Sequence, residues 1–239
     1  MQRNTISDGL QGPFWIQGSS RCSVIENKLR NNLKAGFQVS NYADPTVTGN
    51  TVLRGEGGGV VVHDHARGTF TQNVLEQSTR AGIGVMDRAT STFIGNTITG
   101  NAGGGAVMTG KCSPVLIGNT FTANGFVGVG VKEASKPFLS DNTIESNNGY
   151  GLLMQATSAV QLQGCRLTSN QRAGICVCDE ARLVMHGCTL EPSLVAAKAD
   201  EQVVGVLLHD KSTAVIQKSV LRNHKVGPVF PFCHVSPNM

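Results

Sequence analysis

Asparagine recurs at Asn4, Asn27, Asn50, Asn73, Asn96, Asn119 and Asn142, always 23 residues apart, and Cys165 and Cys188 continue the series. A fixed period over most of a chain marks a stacked repeat whose single unit is too small to bury its own apolar face. Two residues after each ladder position stands an apolar side chain, as in Leu29, Val52, Leu75, Ile98, Phe121, Ile144, Leu167 and Leu190. Three residues before it stands another, from Val24 and Val47 through Phe70, Phe93 and Leu116 to Met185. Nine residues after it comes a glycine, at Gly36, Gly59, Gly82, Gly105, Gly128, Gly151 and Gly174. Behind each glycine runs an alternating segment such as Phe37-Gln38-Val39 or Val60-Val61-Val62. Apolar residues two apart share one face of a β-strand.

Strands this short, separated by turns rich in Gly, Asn, Asp and Pro, bury their apolar faces by pairing in parallel with the next coil, about 4.8 Å along the axis. The expected fold is therefore all-β, a single-stranded parallel β-helix of about ten 23-residue coils. An internal ladder of Asn27, Asn50, Asn73, Asn96, Asn119 and Asn142 is expected to stack amide on amide from coil to coil. Asparagine also tolerates the left-handed backbone of a sharp turn, so the ladder residues are expected at such turns. The glycines are expected where a Cβ would crowd the neighbouring coil. From Cys188 to the next ladder residue, Ser219, the spacing is 31, which puts an inserted loop near 191–202. Repeats are expected over 1–226 and an irregular cap or tail over 227–239.

Composition narrows the function classes. Glycine is abundant at 29 residues and aromatics make up only 5%, which suits a thin aliphatic core. A formal charge of +4 without any run of Lys or Arg gives no phosphate-binding stripe, so no nucleic-acid partner is expected. No apolar stretch reaches the roughly 18 residues of a membrane span, and Met1-Gln2-Arg3-Asn4 opens no apolar leader, so no membrane association is expected. Seven cysteines without framework spacing, and no Asn-x-Ser/Thr acceptor, lead to the expectation of an intracellular protein, cytoplasmic or nuclear.

Units such as Asp44-Pro45-Thr46-Val47-Thr48-Gly49-Asn50-Thr51-Val52, Ser113-Pro114-Val115-Leu116-Ile117-Gly118-Asn119-Thr120-Phe121 and Ala81-Gly82-Ile83-Gly84-Val85 resemble pectin-lyase-like repeats. In style they are closest to the β-helix domain of intracellular F-box substrate-receptor proteins. The resemblance runs from about Asn4 to Val226 and implies a right-handed coil. It specifies the fold far better than the function.

Two surfaces qualify as sites. The outward position eleven residues after each ladder residue is largely apolar, with Trp15, Val61, Val107, Leu153, Cys176 and Leu207, and Met86 lies in the next outward column. Such a stripe suits a protein partner. The leading expectation is thus a non-catalytic interaction scaffold, by resemblance the substrate-recognition domain of a ubiquitin-ligase adaptor, without catalytic residues, cofactor or metal. The alternative is a carbohydrate-binding or polysaccharide-lyase-like helix with a sugar or calcium site at His63, Asp64, His65 and Asp87. A lyase needs carboxylates for calcium and a base beside the sugar carboxylate, and Asp64 and Asp87 fall on adjacent coils. Their column continues as Glu133, Asp179 and Asp210 but is interrupted by Gly110 and Ala156, as turn residues would be. The paired aspartates and Gly-His-Gly of polygalacturonase-like hydrolases are missing. Cys165 and Cys188 lie one coil apart, within the Cα range of a disulfide, whereas Cys176 and Cys178 lack the second pair that zinc usually takes. A third expectation is a structural component of a large assembly. The repeat begins in register at Asn4, which suggests part of a longer chain or a first coil covered by a neighbour.

Overall fold

The computed structural model describes residues 1–191 and 204–223, together with the backbone of 229–231. Its strands form three parallel sheets. The first holds ten strands from Thr5–Ser7 to Val220–Leu221, the second ten from Phe14–Ile16 to Val229–Pro231, and the third nine from Ser23–Ile25 to Thr213–Gln217. The chain visits the three sheets in turn and then starts the next coil. Val52 therefore pairs with Leu29 on one side and Leu75 on the other. This is the parallel β-helix that the period demanded, right-handed as the resemblance implied, and no α-helix occurs among the described residues.

The two apolar columns flanking the ladder form the middles of the first and third sheets, and the pairs behind the glycines supply the second. Equivalent side chains stack on one another: the rings of Phe70 and Phe93 lie 4.8 Å apart, those of Phe14 and Phe37 5.0 Å. Both values match the strand spacing, so one backbone repeat sets the packing of the core. The glycine column is steric. A Cβ on Gly105 would lie 2.4 Å from the carbonyl oxygen of Gly128 in the next coil.

Each full coil turns three corners, each made by one residue in the left-handed region. At the first corner that residue precedes the ladder asparagine, as at Gln72, Gly95 and Gly118, with φ of 53°, 59° and 60°. The expectation that the ladder asparagines themselves are left-handed is thereby corrected. The preceding residue makes the bend, which turns the asparagine side chain into the interior. There Oδ1 of Asn96 accepts the backbone N–H of Asn73 at 2.8 Å and its side-chain amide at 3.0 Å. Nδ2 of Asn96 donates to Asn119 Oδ1 at 2.8 Å and to Phe70 O at 2.9 Å. A second ladder goes beyond the expected one. Asn101, Asn124, Asn147 and Asn170 follow the second corner and repeat the same bonding. Both ladders satisfy buried polar groups that an aliphatic core leaves without partners.

The outward stripe is less uniform than expected. Trp15 is 67% exposed, and Val61, Met86, Val107 and Leu207 are half-buried, but Leu153 and Cys176 are 8% and 2% exposed. Of the expected loop at 191–202 only Glu191 is among the described residues, and of the tail at 227–239 only the backbone of Val229–Pro231, which pairs with Val204–Leu208.

Candidate functional site

The third corner, between the second and third sheets, collects the titratable side chains. Its left-handed residues include Asp64, Asp87, Glu133, Asp179 and Asp210, with φ between 56° and 61°. Their carboxylates reach back one coil. Asp64 Oδ2 accepts the N–H of Asn41 at 3.0 Å, Asp87 Oδ2 that of Asp64 at 3.0 Å, and Glu133 Oε2 that of Gly110 at 2.9 Å. The acidic column is therefore corner chemistry first. Gly110 and Ala156, which interrupt it, are left-handed as well.

Bonds beyond this pattern occur on the second to fourth coils, and again where Thr109 Oγ1 donates to Glu133 Oε1 at 2.7 Å. Nδ1 of His63 lies 3.1 Å from Asp64 Oδ2, and Nε2 of His63 lies 3.4 Å from the Gln38 side-chain nitrogen. With the proton on Nδ1 shared with Asp64, Nε2 carries the lone pair and accepts from Gln38. One ligand atom each from His63, Asp64 and Asp87 lie within 4.8 Å of one another. Two carboxylates and an imidazole fall short of the six to eight oxygens that calcium takes, and one oxygen of each aspartate already serves the corner.

His65 points elsewhere. Its ring stacks on Tyr42 with centroids 5.3 Å apart and planes at 18°. Beside the pair opens a cleft of about 230 Å³ lined by Ser19, Arg21, Tyr42, Asp44, His65 and Arg67. Arg21 Nε is 4.0 Å from Asp44 Oδ2, and among the described residues no carboxylate pairs with Arg67. The structure thus brings His63, Asp64 and Asp87 together and sends His65 to a neighbouring cleft. Tyr42, Arg21 and Arg67 were not anticipated. The repeat itself is the signal for them, since Tyr42 and His65, and Arg21, Asp44 and Arg67, are separated by multiples of one coil.

The sequence matches the family model of the right handed beta helix region over residues 1–98 and 87–220. The chain belongs to the right-handed β-helix family. Among solved structures, this β-helix is similar to a point mutant of the periplasmic alginate epimerase AlgG, with a TM-score of 0.67 at 17% identity, covering 82% of this chain and 51% of that one. The chain thus spans about half the length of AlgG. It is also similar to the A-module of the Azotobacter vinelandii mannuronan C-5 epimerase AlgE4, at TM-score 0.57 and 12% identity over 96% of this chain and 76% of that one. Pectate lyase Pel9A gives TM-score 0.58 at 12% identity over 97% and 71%. Identities this low speak for the fold. No curated protein sequence matches the chain significantly.

These matches correct two expectations. The β-helix resembles polysaccharide-modifying enzymes, one of them periplasmic, which overturns both the non-catalytic ubiquitin-ligase scaffold and the intracellular location.

Proposed function

We propose that this β-helix binds and modifies an acidic polysaccharide outside the cytoplasm, with the chain of sugars lying across the third corners of the first to fourth coils. The observation that carries this reading is the adjacency of the oriented His63–Asp64 pair to the cleft holding Arg21, Tyr42 and Arg67. Lyases and epimerases of uronic acids both begin by removing a proton from the carbon next to a carboxylate. That step requires a base and a cation that disperses the developing charge. His63 is the base, held by Asp64 at Nδ1, its Nε2 lone pair meeting the Gln38 amide until the sugar displaces that contact, and Arg67 neutralises the sugar carboxylate. Tyr42, 65% exposed, gives the sugar an aromatic face and a phenol for proton return. The structural similarity to AlgG, AlgE4 and Pel9A supports the same substrate class.

The test incubates the purified chain with polymannuronate, alginate and polygalacturonate. Unsaturated product absorbing in the ultraviolet indicates elimination, and a changed ratio of uronate epimers by proton NMR indicates epimerisation. Either activity should disappear in His63→Ala. Absence of both reactions and of any binding to these polymers would refute the proposal.

A further inference from the structure

Both tyrosines of the chain stand beside a cation and a second ring. Tyr42 belongs to the cleft at the third corner. Tyr150 opens a strand of the second sheet just after the second corner, four coils or about 19 Å further along the axis than His63. Its ring takes the guanidinium of Arg172 at 5.6 Å from the centroid, and meets the Phe126 ring edge-on with centroids 6.4 Å apart and planes at 81°. Tyr150 also packs against Val127, Leu153 and Cys176, a small apolar group outside the main core. Packing thus holds the tyrosine, while Phe126 stays 50% exposed and Arg172 is exposed as well. The corner itself does not call for these side chains. In the column of Phe126 and Arg172 the other coils carry Gln11, Lys34, Gly57, Arg80, Gly103 and Gly149. Among the described residues Phe126 is the one exposed phenylalanine, and no carboxylate pairs with Arg172. The backbones of Phe126 and Arg172 are two coils apart, about 9.6 Å, with Gly149 between them. Beside them the side-chain nitrogen of Gln171 donates to Asn148 Oδ1 at 3.3 Å.

We infer that Phe126, Tyr150 and Arg172 form a second, non-catalytic binding site for a sugar unit that bears a carboxylate. The ring of Phe126 offers an electron-rich face on which the C–H side of a pyranose stacks. Arg172, lying over Tyr150, is held in place and keeps its N–H edge free for a bidentate bond to the carboxylate. The amides of Asn148 and Gln171 supply donors and acceptors for hydroxyl groups. A neutral sugar leaves the guanidinium unanswered and an apolar peptide leaves the amides so, whereas an acidic sugar meets ring, cation and amides together. The choice of ligand rests on the polyuronate reading above. On that reading one polymer engages both sites, and attachment at the second raises the local concentration of sugar at the first. Recognition therefore depends on chain length, because an oligomer too short to bridge about 19 Å touches one site at a time.

The test measures binding of polymannuronate and polygalacturonate to the full chain by calorimetry, together with turnover of each polymer and of its trimer. Phe126→Ala and Arg172→Gln should each weaken polymer binding and raise the polymer KM about ten-fold, with kcat and the trimer KM within about two-fold of the parent. Both side chains are exposed, so melting temperatures should stay at the parent value. Arg80→Gln, in the same column four coils earlier, should change nothing, which separates a site from general charge. His63→Ala should keep the polymer bound while turnover stops. Polymer binding and KM unchanged in Phe126→Ala and Arg172→Gln, or weakened equally in Arg80→Gln, would overturn the second site and leave the catalytic reading standing. Polymer held through Phe126 and Arg172 without any turnover would keep the second site and remove the catalytic reading. No polymer bound by the parent chain would overturn both.

Discussion

Oδ2 of Asp64 serves two donors at once, the backbone N–H of Asn41 at 3.0 Å and Nδ1 of His63 at 3.1 Å. One carboxylate thus closes a corner and orients a base. Asp64→Asn separates the two roles. Asparagine keeps the left-handed corner and an acceptor for Asn41 but loses the charge that favours the His63 orientation. Activity on the polyuronate should fall at least ten-fold, with the melting temperature within a few degrees of the parent. Full turnover in Asp64→Asn would remove His63 from the role of base.

The ladder predicts a gradient of sensitivity along the rod. Asn96→Ala removes an acceptor from the buried N–H of Asn73 and breaks the amide stack on both sides, at about 2–4 kcal/mol in urea unfolding. Asn4→Ala, at an exposed position of the same column, should cost less than about 1 kcal/mol. Equal losses at both positions would argue against a cooperative ladder.

Two glycines test steric need against conformational need. Gly105→Ala places a Cβ against a carbonyl and the Phe121 ring, at a cost of about 1–3 kcal/mol or more. Gly118 has φ of 60° and open space around it, so Gly118→Ala should cost only about 1–2 kcal/mol, and Gly118→Asn less. Thermal melting of the three variants orders them.

Burial pushes the Cys112 thiol upward, where Sγ lies 3.5 Å from Val85 O. The folded chain therefore keeps this proton at pH values where the unfolded chain loses it. Its contribution is fully present below about pH 8.5 and declines as pH rises above that value. Cys112→Ala should flatten the fall of the melting temperature between pH 8 and pH 10, about the window the unfolded thiol defines.

The fold was legible because its information is periodic. A parallel ladder converts a spacing of 23 residues directly into adjacency, so the apolar columns and the Asn27–Asn142 ladder could be read without any structure. The left-handed corners were misassigned by one residue, because an asparagine fits such a corner as readily as it fits a buried ladder, and only the direction of the side chain separates the two. The candidate site was half legible. His63, Asp64 and Asp87 stood out as titratable groups on adjacent coils. Tyr42, Arg21 and Arg67 did not, because their closeness depends on how a six-residue corner folds between Val62 and Thr69. The outward stripe misled because hydrophobicity on a strand exterior says nothing of which residues end up covered, as Leu153 and Cys176 do.

The amide stack from Asn4 to Asn142 is one-directional. Each side chain donates toward the following coil, so the dipoles add along the interior much as peptide units do in an α-helix. Where the asparagines stop, the donors of Asn142 face Cys165, with Nδ2 3.9 Å from its sulfur. That thiol is held below its ordinary value, first by its hydrogen bond with Cys188 and further by the Asn142 donors. The core of the rod therefore carries an electrical polarity, and its positive pole is spent on a buried sulfur rather than on solvent.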